Sequence, residues 1–170
     1  MNALVAALVF CQGLGALTGA FSSVWSELAY HKAMRDGTID TAERVHILAI
    51  ARGLRFGMFL LLVSSLALVI AAYTSHIPLQ PALTDSYWTF ILCALFVIGI
   101  SWALARKRIS HTLGSTLVFT GWWFLSYISL GLFPTISFGG SLAFFIVSAA
   151  LFYGVFMGLR TYAIHSRQVA

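Results

Sequence analysis

The stretch LRFGMFLLLVSSLALVIAAY, residues 54–73, decides the fold class of this chain. Arg55 is its one charged residue, and the remainder is apolar or small as far as Tyr73. A helix of about 20 apolar residues is long enough to cross the hydrocarbon core of a bilayer. The stretch therefore predicts a transmembrane helix whose solvent is lipid.

The rest of the chain has the same character. Of its 170 residues, 60% are hydrophobic and 9% are charged, whereas about a quarter of the residues in a soluble domain are charged. We therefore predict an all-α, five-helix transmembrane bundle that forms a single domain over residues 1–170. The predicted spans are residues 3–25, 54–73, 87–105, 112–133 and 141–159.

The positive charges predict the orientation. All 10 Lys and Arg residues lie in the first connector, in the third connector or at the C-terminal end, and the second and fourth connectors have none. Because cationic loops stay in the cytoplasm, the N-terminus is expected outside and the C-terminus inside. The cations are Lys32, Arg35, Arg44, Arg52, Arg55, Arg106, Lys107, Arg108, Arg160 and Arg167.

The first connector predicts a helical hairpin. Gly37 is typical of a helix C-terminus, and Asp40 with Glu43 forms a capping box that starts the next helix. The first helix would then have about 33 residues and a length near 50 Å, against a hydrocarbon core of about 30 Å. We expect the surplus to form an extended cytoplasmic hairpin between helices 1 and 2.

Small residues recur at every fourth position in two of the predicted helices. Gly15 and Gly19 lie in the first such row, and Gly154 and Gly158 lie in the second. Small side chains allow close helix packing in lipid, so these four glycines are expected to face protein.

The fourth helix is rich in hydroxyl groups and has two tryptophans in its middle. Trp122 and Trp123 lie too deep for an interfacial belt, and Thr120 is close to them in sequence. These three residues are candidates for a surface that faces a lipid, a quinone or a pigment. Contact with neighbouring helices and hydrogen bonds to the helix backbone are the alternative.

Histidines and carboxylates gather on the predicted inner face. Glu27 precedes His31 by four residues, and Glu43 precedes His46 by three, so each pair shares a helix face. Such a set is typical of helix-bundle metal sites and predicts a divalent metal or a haem; ordinary boundary histidines are the alternative. Weaker candidates are His111 and His165.

Other functional classes are disfavoured by the sequence. No acidic residue or lysine lies deep in a span, which argues against an ion pump. The positive charge follows membrane orientation and not nucleic-acid binding, and no catalytic motif is present, which favours a non-enzymatic protein. Anionic lipid head groups are expected at Arg106, Lys107 and Arg108.

Short motifs in the first hairpin, the fourth helix and the fourth connector carry a family resemblance. They are Phe21-Ser22, Ala33, Asp36-Gly37-x-Ile39, Glu43, Trp122 or Trp123, and Ser137-Phe138. On these motifs the chain resembles an uncharacterised family of small five-helix bacterial integral membrane proteins. It departs from that family at Ser23, where an aspartate is common, and at Ser64-Ser65, where Ser-Gly is common. The resemblance implies the bacterial cytoplasmic (inner) membrane and no specific activity.

Three functional hypotheses follow from these observations. The first is an accessory or assembly subunit of a larger membrane complex, which would bind other membrane subunits. The second is a small membrane redox protein that binds haem or metal through the inner-face histidines. The third is a passive carrier or a protein that binds a lipid or another hydrophobic ligand.

Overall fold

The computed structural model describes residues 3–36, 41–76, 84–134 and 136–168 of the chain. Within these ranges it is all-helical, with five helices and no strand. The helices are α1 (Ala3–Asp36), α2 (Thr41–Thr74), α3 (Asp85–Ala105), α4 (His111–Ser129) and α5 (Phe138–Gln168).

The ends of α3 and α4 are fixed by local hydrogen bonds. Thr84 and Ser110 are the N-caps, and each hydroxyl accepts a backbone N–H from the first turn of its helix. Lys107 (φ 54°) and Gly131 (φ 68°) follow the C-caps in the left-handed conformation. The backbone hydrogen bonds around both residues are those of the Schellman motif.

Four helices are long and apolar enough to cross a membrane: α1, α2, α3 and α5. α4 has the length, but its hydroxyl-bearing residues leave it without a stretch as apolar as the most apolar stretch of each of the other helices. It is also the helix that the rest of the bundle encloses, since it packs against α1, α3 and α5. Trp122 and Leu125 on α4 are almost inaccessible to solvent. The hydroxyl groups of Ser115, Thr116, Thr120 and Ser126 on α4 therefore face protein.

Close backbone approach joins α1 to α2. A Cβ atom on Gly15 would lie 2.8 Å from the backbone nitrogen of Leu61, and one on Gly57 would lie 2.8 Å from the carbonyl oxygen of Gly15. A larger residue at either glycine would push the two backbones apart. α1 also contacts α4: the ring of Trp122 on α4 packs directly beside Gly19 on α1.

Gly154 and Gly158 contact no other helix among the described residues, since a Cβ atom on either glycine would meet nothing within 4 Å there. α5 packs through its phenylalanines, and the ring centroids of Phe152 and Phe156 lie 5.0 and 5.2 Å from that of Phe119 on α4. Gly154 and Gly158 consequently lie on the outward face of α5.

α1 and α2 are both 34 residues long and pack along one another. The turn proposed at Gly37 and Asp40 lies outside the described residues. The extended hairpin therefore stays a prediction.

Candidate functional site

A buried ion pair links α1 and α5 at the end of the bundle that carries Arg106, Lys107 and Arg160, which we call the basic end. The Nη2 atom of Arg160 on α5 lies 3.1 Å from the carboxylate of Glu27 on α1. Glu27 is only 7% exposed, so this pair is largely shielded from water. The two charges neutralise each other and hold α5 against α1.

Arg160 also binds the start of α4. Its guanidinium donates to the hydroxyl of Ser115 at 3.1 Å and to that of Thr112. It lies above the ring of Tyr30, 4.8 Å from the ring centre, in a cation–π contact. The Arg160 side chain thus has polar or aromatic partners on both α1 and α4.

His111 joins this cluster through Tyr30. The two rings are stacked with centroids 3.9 Å apart and an angle of 13° between their planes. Burial of the imidazole and the positive charge of Arg160 lower the pKa of His111, while the carboxylate of Glu27 opposes that shift. His111 is therefore more readily neutral than a free histidine, although part of it stays exposed.

A cavity of about 600 Å³ opens beside this cluster, and we call it the α2–α3 cavity. Its walls are α2 and α3, which make almost no contact with each other, and α1 and α4 form its floor. Serine, glutamate and histidine line its basic end, Arg55 lines it further along α2, and the rest of the lining is mostly apolar. Lining residues include Ser26, Glu27, Arg55, Ser101, His111, Phe59, Leu62, Val97 and Trp122.

A second groove, of about 720 Å³, lies between α3 and α5 near the opposite end of the bundle. Apart from Thr89, Cys93 and Ser141, its lining is wholly hydrophobic. It has no charged residue that would orient a head group. The α2–α3 cavity is therefore the better candidate for specific binding.

The histidines and carboxylates proposed for metal or haem are only partly within the described structure. Glu27 is paired with Arg160, and the imidazole of His46 accepts the indole N–H of Trp25. No group of three or more possible metal ligands occurs among the described side chains. The side chains of His31, Glu43 and His165 are not among the described ones. The metal or haem site therefore stays a prediction.

The three proposed ligand-facing residues of α4 have different surroundings. Trp122, 1% exposed, lies at the deep end of the α2–α3 cavity. Trp123 packs between Phe21 and Phe119, and its buried indole N–H has no hydrogen-bond partner among the described residues. Thr120 is buried and donates to its own helix at Thr116.

The basic connector between α3 and α4 contacts an interfacial tryptophan. The guanidinium carbon atoms of Arg106 and Arg108 lie 4.4 and 5.1 Å from the centre of the Trp102 ring. Trp102, Arg106 and Lys107 are exposed. The charges of Arg106 and Lys107 are therefore solvent-accessible, and the binding of anionic head groups there stays a prediction.

Comparison with known protein families, with curated proteins and with solved structures finds no match for this chain. The resemblance to small five-helix bacterial membrane proteins accordingly stays a hypothesis, and function has to be argued from the geometry.

Sequence reasoning did not identify Arg160, Tyr30 and Ser115 as members of one site. A signal was present, because Glu27 and Arg160 are opposite charges near the ends of two predicted spans. The positions of the two charges in their spans predict a similar depth in the membrane for both residues. They do not predict that α1 and α5 are close to each other at that depth.

Proposed function

We propose that this chain is a non-enzymatic membrane protein that binds one amphiphilic ligand in the α2–α3 cavity. The observation that supports this function is the polarity gradient of the cavity, from Glu27, Ser101 and His111 at the basic end to Leu62 and Trp122 at depth. A volume of about 600 Å³ lies within the range of pockets that bind small molecules. The gap between α2 and α3 gives such a ligand a direct route from the bilayer.

Filling the mouth of this cavity is expected to displace the ligand. Ser101 is exposed and lines the cavity, so Ser101→Trp adds bulk there without disturbing the core. The protein purified in mild detergent should carry a stoichiometric amphiphile in native mass spectrometry, and Ser101→Trp should lose most of it.

Gly99→Trp is the matched control for that substitution. Gly99 lies on the same helix with open space beyond its Cα, and it does not line the cavity. This variant should retain the bound amphiphile. Equal retention by the two tryptophan variants would contradict the proposal.

Five membrane crossings, an outside N-terminus and a bacterial inner-membrane location belong to the same proposal. They are supported by the four apolar helices, by the enclosure of α4, and by the distribution of Lys and Arg. In a chain with Cys11 and Cys93 replaced by alanine, a cysteine at Gln80 should react with an impermeant maleimide added to intact cells. A cysteine at Thr38 should react only after lysis, and the reverse result would invert the orientation.

The accessory-subunit hypothesis is the second candidate. α5 is the least buried of the apolar helices, and its outward face carries Gly154 and Gly158 beside Leu151 and Val155. Such a face favours contact with another membrane subunit. This role is compatible with a bound amphiphile and stays a prediction.

A further inference from the structure

The α2–α3 cavity has one charge that no described residue neutralises. Arg55 lines its mouth, is exposed, and has no ion pair or hydrogen bond within the described part of the chain. Glu27, the one acidic side chain on the described cavity wall, is already paired with Arg160. The mouth is therefore positively charged and lacks its own counter-ion.

The titratable side chains that each helix contributes to the cavity leave Arg55 as its one unneutralised charge. α1 contributes the neutralised Glu27, α2 contributes Arg55, and α4 contributes His111, whose pKa is lowered by burial and by Arg160. α3 contributes no titratable residue to the lining. Ser26 and Ser101 add two hydroxyl groups to the same lining.

Arg55 lies two residues from Gly57, which packs directly against Gly19 and so lies near the ring of Trp122. Phe59 and Leu62 follow Arg55 by four and seven residues on α2, about 6 and 10 Å at 1.5 Å per residue. A ligand whose head group reaches Arg55 would therefore place its chains beside Phe59 and Leu62.

We infer that the occupant of the α2–α3 cavity is a glycerophospholipid with a net negative head group, whose phosphate is bound by Arg55. A guanidinium matches a phosphate group with paired N–H donors, and the Ser26 and Ser101 hydroxyls supply further donors. The cavity thereby selects a lipid by its head-group charge and holds its chain by apolar contact. This inference depends on the proposed function of the cavity.

The test measures binding of three probes to the full-length, delipidated protein in non-ionic detergent by native mass spectrometry. The probes are phosphatidylglycerol, phosphatidylcholine and inorganic phosphate. Phosphatidylglycerol should bind about tenfold more tightly than phosphatidylcholine, because both carry the phosphate but the choline cation of phosphatidylcholine neutralises its head group and is repelled by Arg55. Inorganic phosphate should neither bind measurably nor compete, since it lacks the apolar part.

Two arginine substitutions on α2 isolate the role of the cavity residue. Arg55→Gln should abolish the preference, so that phosphatidylglycerol and phosphatidylcholine bind with similar affinity. Arg52→Gln removes the same charge at an exposed position outside the cavity lining, so it should leave the preference unchanged. Equal effects of both substitutions would show a general surface attraction and overturn the inference.

The remaining outcomes separate this inference from the proposed function. If both lipids bind equally and Ser101→Trp abolishes both, the cavity binds an amphiphile but does not select its charge. If Ser101→Trp changes the binding of neither lipid, the proposed function itself fails. If inorganic phosphate competes fully, the site recognises a free anion and the lipid assignment is wrong.

Discussion

Replacement of Arg160 by methionine is expected to be among the most destabilising single substitutions in this protein. Methionine keeps much of the volume of the side chain but leaves the carboxylate of Glu27 buried without its cation. Removing one partner of a buried ion pair costs about 3–5 kcal/mol. The free energy of unfolding, measured by denaturant titration in detergent micelles, should fall by roughly that amount.

The double variant Glu27→Gln/Arg160→Met tests the cause of that loss. Without the carboxylate no buried charge remains unpaired, so the double variant should be more stable than Arg160→Met alone. A double variant whose loss equals the sum of the two single losses would mean that the two residues act independently. Arg52→Gln, an exposed change, should leave the stability nearly unchanged.

The number and approximate limits of the helices were predictable because hydropathy is a local property of the sequence. The differences from the structure arise where local chemistry ends a helix. The predicted fourth span continues to Phe133, whereas α4 stops at Ser129, since Gly131 adopts positive φ and closes the helix. α5 continues beyond its apolar run to Gln168, because polar residues sustain a helix outside the hydrocarbon.

The candidate site was less predictable because it depends on which helices are neighbours. Glu27 and Arg160 are 133 residues apart, and each span alone gives only the depth of its charge. The glycines show the same limit. Gly19 and Gly154 belong to similar small-residue rows, yet only Gly19 meets another helix. Spacing identifies a face that permits close approach, and the tertiary arrangement decides whether a partner is there.

Gly19→Ile is expected to disrupt the contact between α1 and α4. A Cβ atom at position 19 would lie 2.0 Å from two ring carbons of Trp122, which is far inside van der Waals contact. Trp122 is buried in the core, so its ring has little room to move. Adding a small group to a well-packed core lowers the free energy of unfolding by about 1–3 kcal/mol. Because isoleucine is larger than alanine, Gly19→Ile should lower it more than Gly19→Ala.

Two further variants separate this clash from the general effect of adding a β-branched residue to a helix. Gly99→Ile makes the same substitution where the Cβ atom meets nothing within 4 Å, so its melting temperature should stay near that of the unaltered protein. Gly19→Ile/Trp122→Ala removes the ring that blocks the new side chain, and it should be more stable than the sum of its single losses predicts. If Gly19→Ile and Gly99→Ile melt alike in detergent, close packing at Gly19 does not hold α1 against α4. If only Gly19→Ile is destabilised and the double variant recovers part of the loss, the Trp122 ring is the surface that requires glycine there.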